Sequence, residues 1–213
     1  MTMTRPAILW DVDGTLVDSE PLHEAALVKA LQDLDLTPPV DFHQHIVGRD
    51  AREVHSWCCE HLGLTLDLRD WLQLKYETYF AFAASLKPRS GAVKLFKDLH
   101  EEGYLQAIVS NSDRLVVNTN LDAVGLIEPG LVTVSRNDIR TGKPGPEPYL
   151  RAAWLLQITP CCCRVVEDSV TGAEAGIAAG MRTLFWPQYD AATPEGAERI
   201  ADLAHLAAVI RES

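Results

Sequence analysis

The sequence predicts an α/β fold, a doubly wound parallel sheet, interrupted by an inserted block of α-helices. Three observations carry the prediction. From Pro88 onward, short apolar runs alternate with stretches of helical periodicity, as expected of parallel strands joined by crossover helices. Near the N-terminus, Ala7-Ile8-Leu9-Trp10 reads as a buried strand that stops abruptly at Asp11-Val12-Asp13-Gly14. Between the two, residues 21–86 have few β-branched runs, and their apolar residues recur at helical spacing, as in Trp71, Leu74, Tyr79 and Phe82. The expected division is residues 1–17 with 87–213 as the α/β core and 18–86 as the helical unit. A chain of 213 residues suits one core with a sizeable insertion.

Within the insertion, helices are expected over residues 22–34, 49–62 and 67–84, separated by Pro38-Pro39 and by Gly63. Residues 91–102 then form an amphipathic helix carrying Val93, Leu95, Phe96 and Leu99, with Gly103 as its stop. A strand follows at 105–109, and Asp113 can cap a helix that runs to 124, with Gly125 beyond it. Strand 131–134 leads into the proline-rich loop Gly142-Lys143-Pro144-Gly145-Pro146-Glu147-Pro148 and a helix over 149–157. The remaining elements are strand 164–167, helix 171–179, strand 183–186 and a helical tail over 197–210. No internal repeat or low-complexity segment interrupts this order.

Composition narrows the function classes. Apolar residues make up 47% of the chain, enough for a packed core, which excludes global disorder. A net charge of −11 argues against nucleic acid or an anionic membrane as partner. An anionic substrate must therefore be held by local cations, backbone N–H groups or a metal. There is no run of eighteen apolar residues and no signal-peptide pattern at Met1-Thr2-Met3-Thr4-Arg5, so the expected compartment is the cytosol. Cys58, Cys59, Cys161, Cys162 and Cys163 show no CxxC spacing and are expected to be reduced thiols. His43, His45, His55 and His61 form no metal-ligand pattern. The sequence leaves the oligomeric state open.

Four motifs carry chemistry. In extended backbone Asp11 and Asp13 point to one face, and Gly14 lets the chain turn away beside them. In an open α/β sheet ligands bind beyond the carboxyl ends of the strands, where this pair sits. For the pair alone, an Asp-Gly turn without chemical role is the alternative. Ser110-Asn111-Ser112 ends a strand and opens a helix, which suits a phosphate cradle and equally a plain helix cap. Lys143 is held in its loop by Gly and Pro neighbours, so its ammonium can meet a phosphoryl group from a fixed place; a solvated turn lysine is the alternative. Glu167-Asp168 ends another strand, and Gly172, Gly176 and Gly180 are expected to form a bare stripe packing the next helix onto the sheet. Acids at neighbouring strand ends make an oxygen-rich site suited to Mg²⁺.

The order Asp-x-Asp, Ser, Lys, Glu-Asp, with Asp-Val-Asp-Gly-Thr-Leu-Val-Asp-Ser, Gly-Lys-Pro-x-Pro and Glu-Asp-Ser-x-x-Gly, resembles the haloacid dehalogenase (HAD) superfamily over nearly the whole chain. Within it, the chain is similar to the β-phosphoglucomutase/phosphoglycolate phosphatase branch, whose Rossmann-like core carries an α-helical cap after the first motif. The resemblance implies Asp11 as nucleophile and Asp13 as general acid/base. It implies Ser110 and Lys143 on the phosphoryl group with Asn111 beside it, and Mg²⁺ held by Asp11, Asp13 through its carbonyl, and Asp168, with Glu167 in or next to that shell. The second acid, Asp13, places the chain with the phosphotransfer members and apart from the dehalogenases. The expected substrate is a small phosphate monoester, of sugar phosphate or phosphoglycolate type, hydrolysed through an aspartyl-phosphate. Candidate cap contacts are His23, Arg49, Arg52 and Lys75; Arg49 and Arg52 compete for the place of the arginine that follows the cap glycine in mutase-like relatives. Two other readings share the motif chemistry: a phosphosugar mutase and a phospho-Asp signalling receiver. The receiver lacks a helical insertion, and a mutase must hold a bisphosphate with cations at both ends. The insertion offers only Lys29, Arg49, Arg52, Arg69 and Lys75.

Overall fold

The computed structural model describes residues 5–46, 49 and 51–212, divided into two compact units, one up to Asp18 and from Lys87 onward, the other Ser19–Leu86. Gly48 and Asp50, of the arginine-bearing stretch, lie outside the described residues, as does the extreme N-terminal stretch 1–4.

The first unit is a six-stranded parallel sheet flanked by helices. Its strands are β1 (Ala7–Trp10), β4 (Gln106–Val109), β5 (Val132–Val134), β6 (Cys163–Glu167), β7 (Arg182–Phe185) and β8 (Ala197–Arg199), in the order β5-β4-β1-β6-β7-β8. The four residues of β1 are buried, as are those of β4 and β6, because helices cover both faces of a parallel sheet. The helices of this unit are α5 (Ala92–Glu101), α6 (Arg114–Ala123), α7 (Glu147–Leu155), α8 (Val170–Ala178) and α9 (Leu203–Arg211). Register decides the site: Trp10 pairs with Ile108 on one side and Val166 on the other. The carboxyl ends of β1, β4 and β6 are therefore level, and the residues that follow them emerge side by side. From β1 the chain fills the sheet outward through β4 and β5, then returns to the other side of β1 with β6. This is the topological switch point at which α/β sheets bind ligands.

Several local outcomes depart from the periodicity. Ala197–Arg199 is a strand, not the start of a helix. It pairs with β7 at the edge of the sheet, where half-exposed Ala, Glu and Arg side chains satisfy no apolar pattern, and Asp202 caps α9 only afterwards. Gly180 lies past the end of α8 in left-handed conformation (φ 71°), so it terminates the helix and takes no part in the stripe. Gly176 does face the sheet, where a Cβ would press on Thr183 and Val165. Asp113 sits at the N-cap of α6 but its side chain makes no cap bond; Asn137 Oδ1 accepts from the Arg114 N–H instead, at 2.8 Å. Helix α7 begins at Glu147 because Pro148 is tolerated in a first turn. Arg164, buried in β6, is satisfied by the last carbonyls of α9, donating to Val209 and Ile210 and to the Glu212 carbonyl beyond.

A two-stranded antiparallel ribbon, β2 (Val17–Asp18) with β3 (Lys87–Pro88), carries both passages of the chain between the units. Asp18 belongs to the α/β unit because it pairs with Lys87. At the foot of this ribbon Arg89 donates to the carbonyls of Gly14, Trp186 and Pro187 and lies 3.5 Å from the centroid of the Trp186 ring.

The second unit is helical: α1 (Glu20–Gln32), the short α2 (Phe42–Ile46), α3 (Ala51–Leu62) and α4 (Leu68–Ala81), then a 3₁₀ turn at Ala83–Ser85. Its own core joins Leu27, Leu31, Phe42, Val54, Cys58, Leu64 and Trp71. Asp67 starts α4 by accepting from the Asp70 N–H at 2.9 Å. All five cysteines are unbridged, and burial pushes the Cys58 and Cys163 thiols up to about 11. Among the described residues no helix is long and apolar enough to cross a membrane.

Candidate active site

The site lies where β1, β4 and β6 end. The Asp11 N–H continues the ladder to Val166 O at 3.0 Å, and the Ser110 N–H reaches Val134 O at 2.9 Å. The backbone is thus still sheet-like where the functional side chains begin. After Asp13, Gly14 turns at φ 81°, and its N–H returns to Val17 O at 2.8 Å. A side chain at Gly14 would also overlap the Asp168 carboxylate, so the position is closed to any other residue on both counts.

Lys143 is the hub. Its ammonium donates to Asp11 Oδ1 at 2.7 Å, Glu167 Oε1 at 2.5 Å and Val109 O at 2.9 Å, which uses all three N–H bonds. Its backbone is clamped by Asn111, which accepts from the Lys143 N–H (2.9 Å) and donates to the Lys143 carbonyl (3.1 Å). The Asn111 amide therefore faces the lysine loop and is hydrogen-bonded to it through both its oxygen and its nitrogen. Burial acts to lower the Lys143 pKa, but Asp11 and Glu167 outweigh it and hold it above the ordinary lysine value.

Glu167 is fully buried. Oε1 also accepts from the Tyr149 hydroxyl at 2.7 Å, and Oε2 accepts from the Ser169 hydroxyl at 3.0 Å. A Cβ at Gly172 would overlap this carboxylate, which explains the glycine in the first turn of α8. Asp168 accepts from Thr15 Oγ1 at 3.1 Å. Burial and then repulsion from Glu167 push the Asp11 pKa well above the carboxylate range, against the pull of Lys143. The same two causes raise Asp168 to about 7, opposed by the Thr15 bond, Arg89 and Lys143. In both groups burial is the larger cause and repulsion from the neighbouring acid the second. Ligand atoms of Asp11, Glu167 and Asp168 lie within 4.8 Å of one another. An all-oxygen set of this density suits a hard divalent cation.

Asp13 sits on the other flank. Its Oδ2 accepts from Ser112 Oγ at 2.8 Å and Ser110 Oγ at 3.3 Å, and its Oδ1 from Asn120 Nδ2 at 2.8 Å. The motif residues Asp11, Asp13, Ser110, Asn111, Lys143, Glu167 and Asp168 are thus linked by one connected set of hydrogen bonds and acid–acid repulsions. The other candidates belong to the helical unit. His23 is on α1, stacked on Tyr79 with centroids 4.4 Å apart; Arg49 is exposed ahead of α3; Arg52 is exposed on α3; Lys75 on α4 lies 5.2 Å from the Tyr76 ring centroid.

Sequence reasoning missed Thr15, Ser112, Asn120, Tyr149 and Arg89. Thr15 and Ser112 stand inside the motifs, and their hydroxyls were the available signal. Asn120 is the polar member of a buried stripe Val116, Val117, Asn120, Leu121, an anomaly that periodicity exposes. Tyr149 and Arg89 gave no sequence signal.

The haloacid dehalogenase-like hydrolase family model matches residues 6–180. Hexitol phosphatase A of Escherichia coli is 30% identical over 194 residues, covering 85% of this chain and 83% of its own. The phosphorylated carbohydrates phosphatase of Thermotoga maritima is 26% identical, covering 84% of this chain and 83% of its own. The crystal structure of CbbY from Rhodobacter sphaeroides in complex with phosphate superposes with a TM-score of 0.82 over 95% of this chain and 99% of that one, at 24% identity, a likeness of fold. The matched span runs from the strand that bears Asp11 through the loop of Lys143 to the helix after Asp168, and the chain belongs to the haloacid dehalogenase-like hydrolase family.

Proposed function

We propose that the chain is a Mg²⁺-dependent phosphatase, a phosphoric monoester hydrolase that acts on a small phosphate ester of sugar phosphate or phosphoglycolate type through an aspartyl-phosphate on Asp11. The observation that carries the reading is the Lys143 ammonium shared between Asp11 and Glu167 beside a second strand-end acid, Asp168. A carboxylate can attack a phosphate dianion only where cations offset their repulsion. The hexitol phosphatase and the phosphorylated carbohydrates phosphatase, both relatives of this chain, support the substrate class and favour water as acceptor over return of the phosphoryl group to the sugar.

The residues divide the work as follows. Asp11 and Asp168, with the Asp13 carbonyl, would hold Mg²⁺. Glu167, whose oxygens already accept from Lys143, Tyr149 and Ser169, stands next to them and holds the lysine. When bound, the cation supplies charge neutralisation and orientation at the phosphoryl oxygens. Lys143 keeps Asp11 turned toward the phosphoryl group and would meet that group by exchanging one of its present N–H partners for a phosphoryl oxygen, and Ser110 supplies a hydroxyl on the opposite flank. Asp11 Oδ attacks phosphorus as the ester P–O bond breaks, and Asp13 gives its proton to the leaving alkoxide. Asp13 then takes a proton from water as that water attacks the aspartyl-phosphate, releasing phosphate and regenerating Asp11.

A panel of phosphate esters assayed for inorganic phosphate with Mg²⁺ tests the reading. Excess chelator is expected to abolish release, and added Mg²⁺ to restore it; release that persists after chelation and dialysis overturns the metal assignment. Asp13→Asn keeps the backbone carbonyl but removes the proton donor. Its loss on sugar phosphates is expected to be about 10²–10⁴-fold, the usual worth of general acid–base help. On p-nitrophenyl phosphate, whose leaving group needs no proton, the loss should be far smaller. Equal losses on both substrates would show that Asp13 is structural.

A further inference from the structure

We propose that Asn120 is a positioning residue that fixes which oxygen of Asp13 carries the proton during turnover, an inference that rests on Asp13 acting as the general acid. Asn120 is fully buried in the second turn of α6, in a stripe otherwise made of Val116, Val117 and Leu121. A buried amide in an apolar stripe is destabilising unless it is hydrogen-bonded, and this one directs its nitrogen at Asp13 Oδ1, 2.8 Å away.

An amide nitrogen can only donate. The Asp13 oxygen that faces it must keep its lone pair in both protonation states, so Oδ1 is closed to the proton. The proton therefore resides on Oδ2. That oxygen faces the Ser112 and Ser110 hydroxyls at 2.8 and 3.3 Å, and a hydroxyl can turn to accept as readily as to donate. The acidic O–H is thereby held on the side of Ser110, the residue assigned to the phosphoryl group. In the forward step the Oδ2–H bond breaks, the leaving oxygen takes the proton, and Oδ2 becomes anionic; water returns a proton to the same oxygen in the second step. Without Asn120 the carboxyl group can rotate and place its proton on the oxygen turned away from Ser110.

The test is a cycle of Asn120→Leu, Asp13→Asn and the double variant. Each is assayed for kcat on the hexose phosphate turned over best and on p-nitrophenyl phosphate, with a thermal melt of each protein. Asn120→Leu keeps the side-chain volume and loses the donor. It is expected to lower the ratio of sugar phosphate to aryl phosphate turnover at least tenfold, with KM for the sugar phosphate changed far less than kcat. In the Asp13→Asn background it should lower the ratio no further, because the group through which it acts is gone. A loss equal on both substrates, or a second fall of the ratio in the Asp13→Asn background, overturns the proposal and leaves Asn120 a core residue. If Asp13→Asn alone lowers both substrates equally, the general-acid reading has failed first, and the melt tells either case from unfolding. Should Asn120→Leu not melt cooperatively, Asn120→Ala is read by the same ratio and the same criteria.

Discussion

Asp11→Asn is expected to lower turnover of a sugar phosphate by about 10⁴-fold or more, the scale on which removal of a covalent nucleophile acts. The substitution preserves shape, and the amide oxygen can still accept from Lys143 as Asp11 Oδ1 does at 2.7 Å. The stability effect has a definite sign. Burial and then Glu167 raise the Asp11 pKa in the fold, so ionising Asp11 costs more there than in the unfolded chain. A neutral amide removes that penalty. In excess chelator the melting temperature should stay within about 4 °C of the parent's or exceed it, roughly what 1 kcal/mol does in a chain of this size. Kinetics and a melt on one preparation check both halves. A rate within tenfold of the parent excludes Asp11 as nucleophile, whereas loss of rate with a collapsed melt shows only that the fold has failed.

Legibility in the sequence follows the range over which each feature is decided. Strands buried on both faces, β1, β4 and β6, declare themselves as largely apolar runs, and the polar residues that end them, acids after β1 and β6 and Ser110 after β4, stand out by contrast. The longer helices of the insertion declare themselves by periodicity. The ribbon of β2 and β3 does not, because two residues on each side pair across some seventy positions and one of them is Pro88. Edge strand β8 failed for a different reason. Ala197-Glu198-Arg199 is also good helix sequence, and only pairing with β7 decides the matter. The site divides in the same way. Asp11, Asp13, Ser110, Glu167 and Asp168 follow or end apolar strands, so sheet geometry suggests their convergence, whereas Lys143 lies in a loop and is placed with them in the sequence only by the resemblance of the motif order. Tyr149 matters only because α7 places its hydroxyl 2.7 Å from Glu167, and Arg89 because three carbonyls from two loops meet at its guanidinium. Both are products of tertiary convergence that no local pattern encodes.

Lys143→Met tests the electrostatic frame instead of the nucleophile. The ammonium is buried against two carboxylates, and removing it leaves Asp11 and Glu167 facing Asp168 with, among the described residues, no cation in an ion pair with either. Breaking a buried ion pair from one side typically destabilises by about 3–5 kcal/mol, because an uncompensated charge remains. In chelator the melting temperature should therefore fall by roughly 6–20 °C. Turnover with Mg²⁺ should drop by about 10²–10³-fold or more, since a fixed positive group no longer meets the charge on the phosphoryl oxygens. The diagnostic outcome is the response to the metal. With the lysine gone the acid cluster is more negative, so saturating Mg²⁺ should raise the melting temperature of Lys143→Met by more than it raises that of the parent. The contrary result, an equal rise in both proteins, would mean that the lysine and the metal neutralise separate charges, and Asp11 would then lose its place as the acid they share.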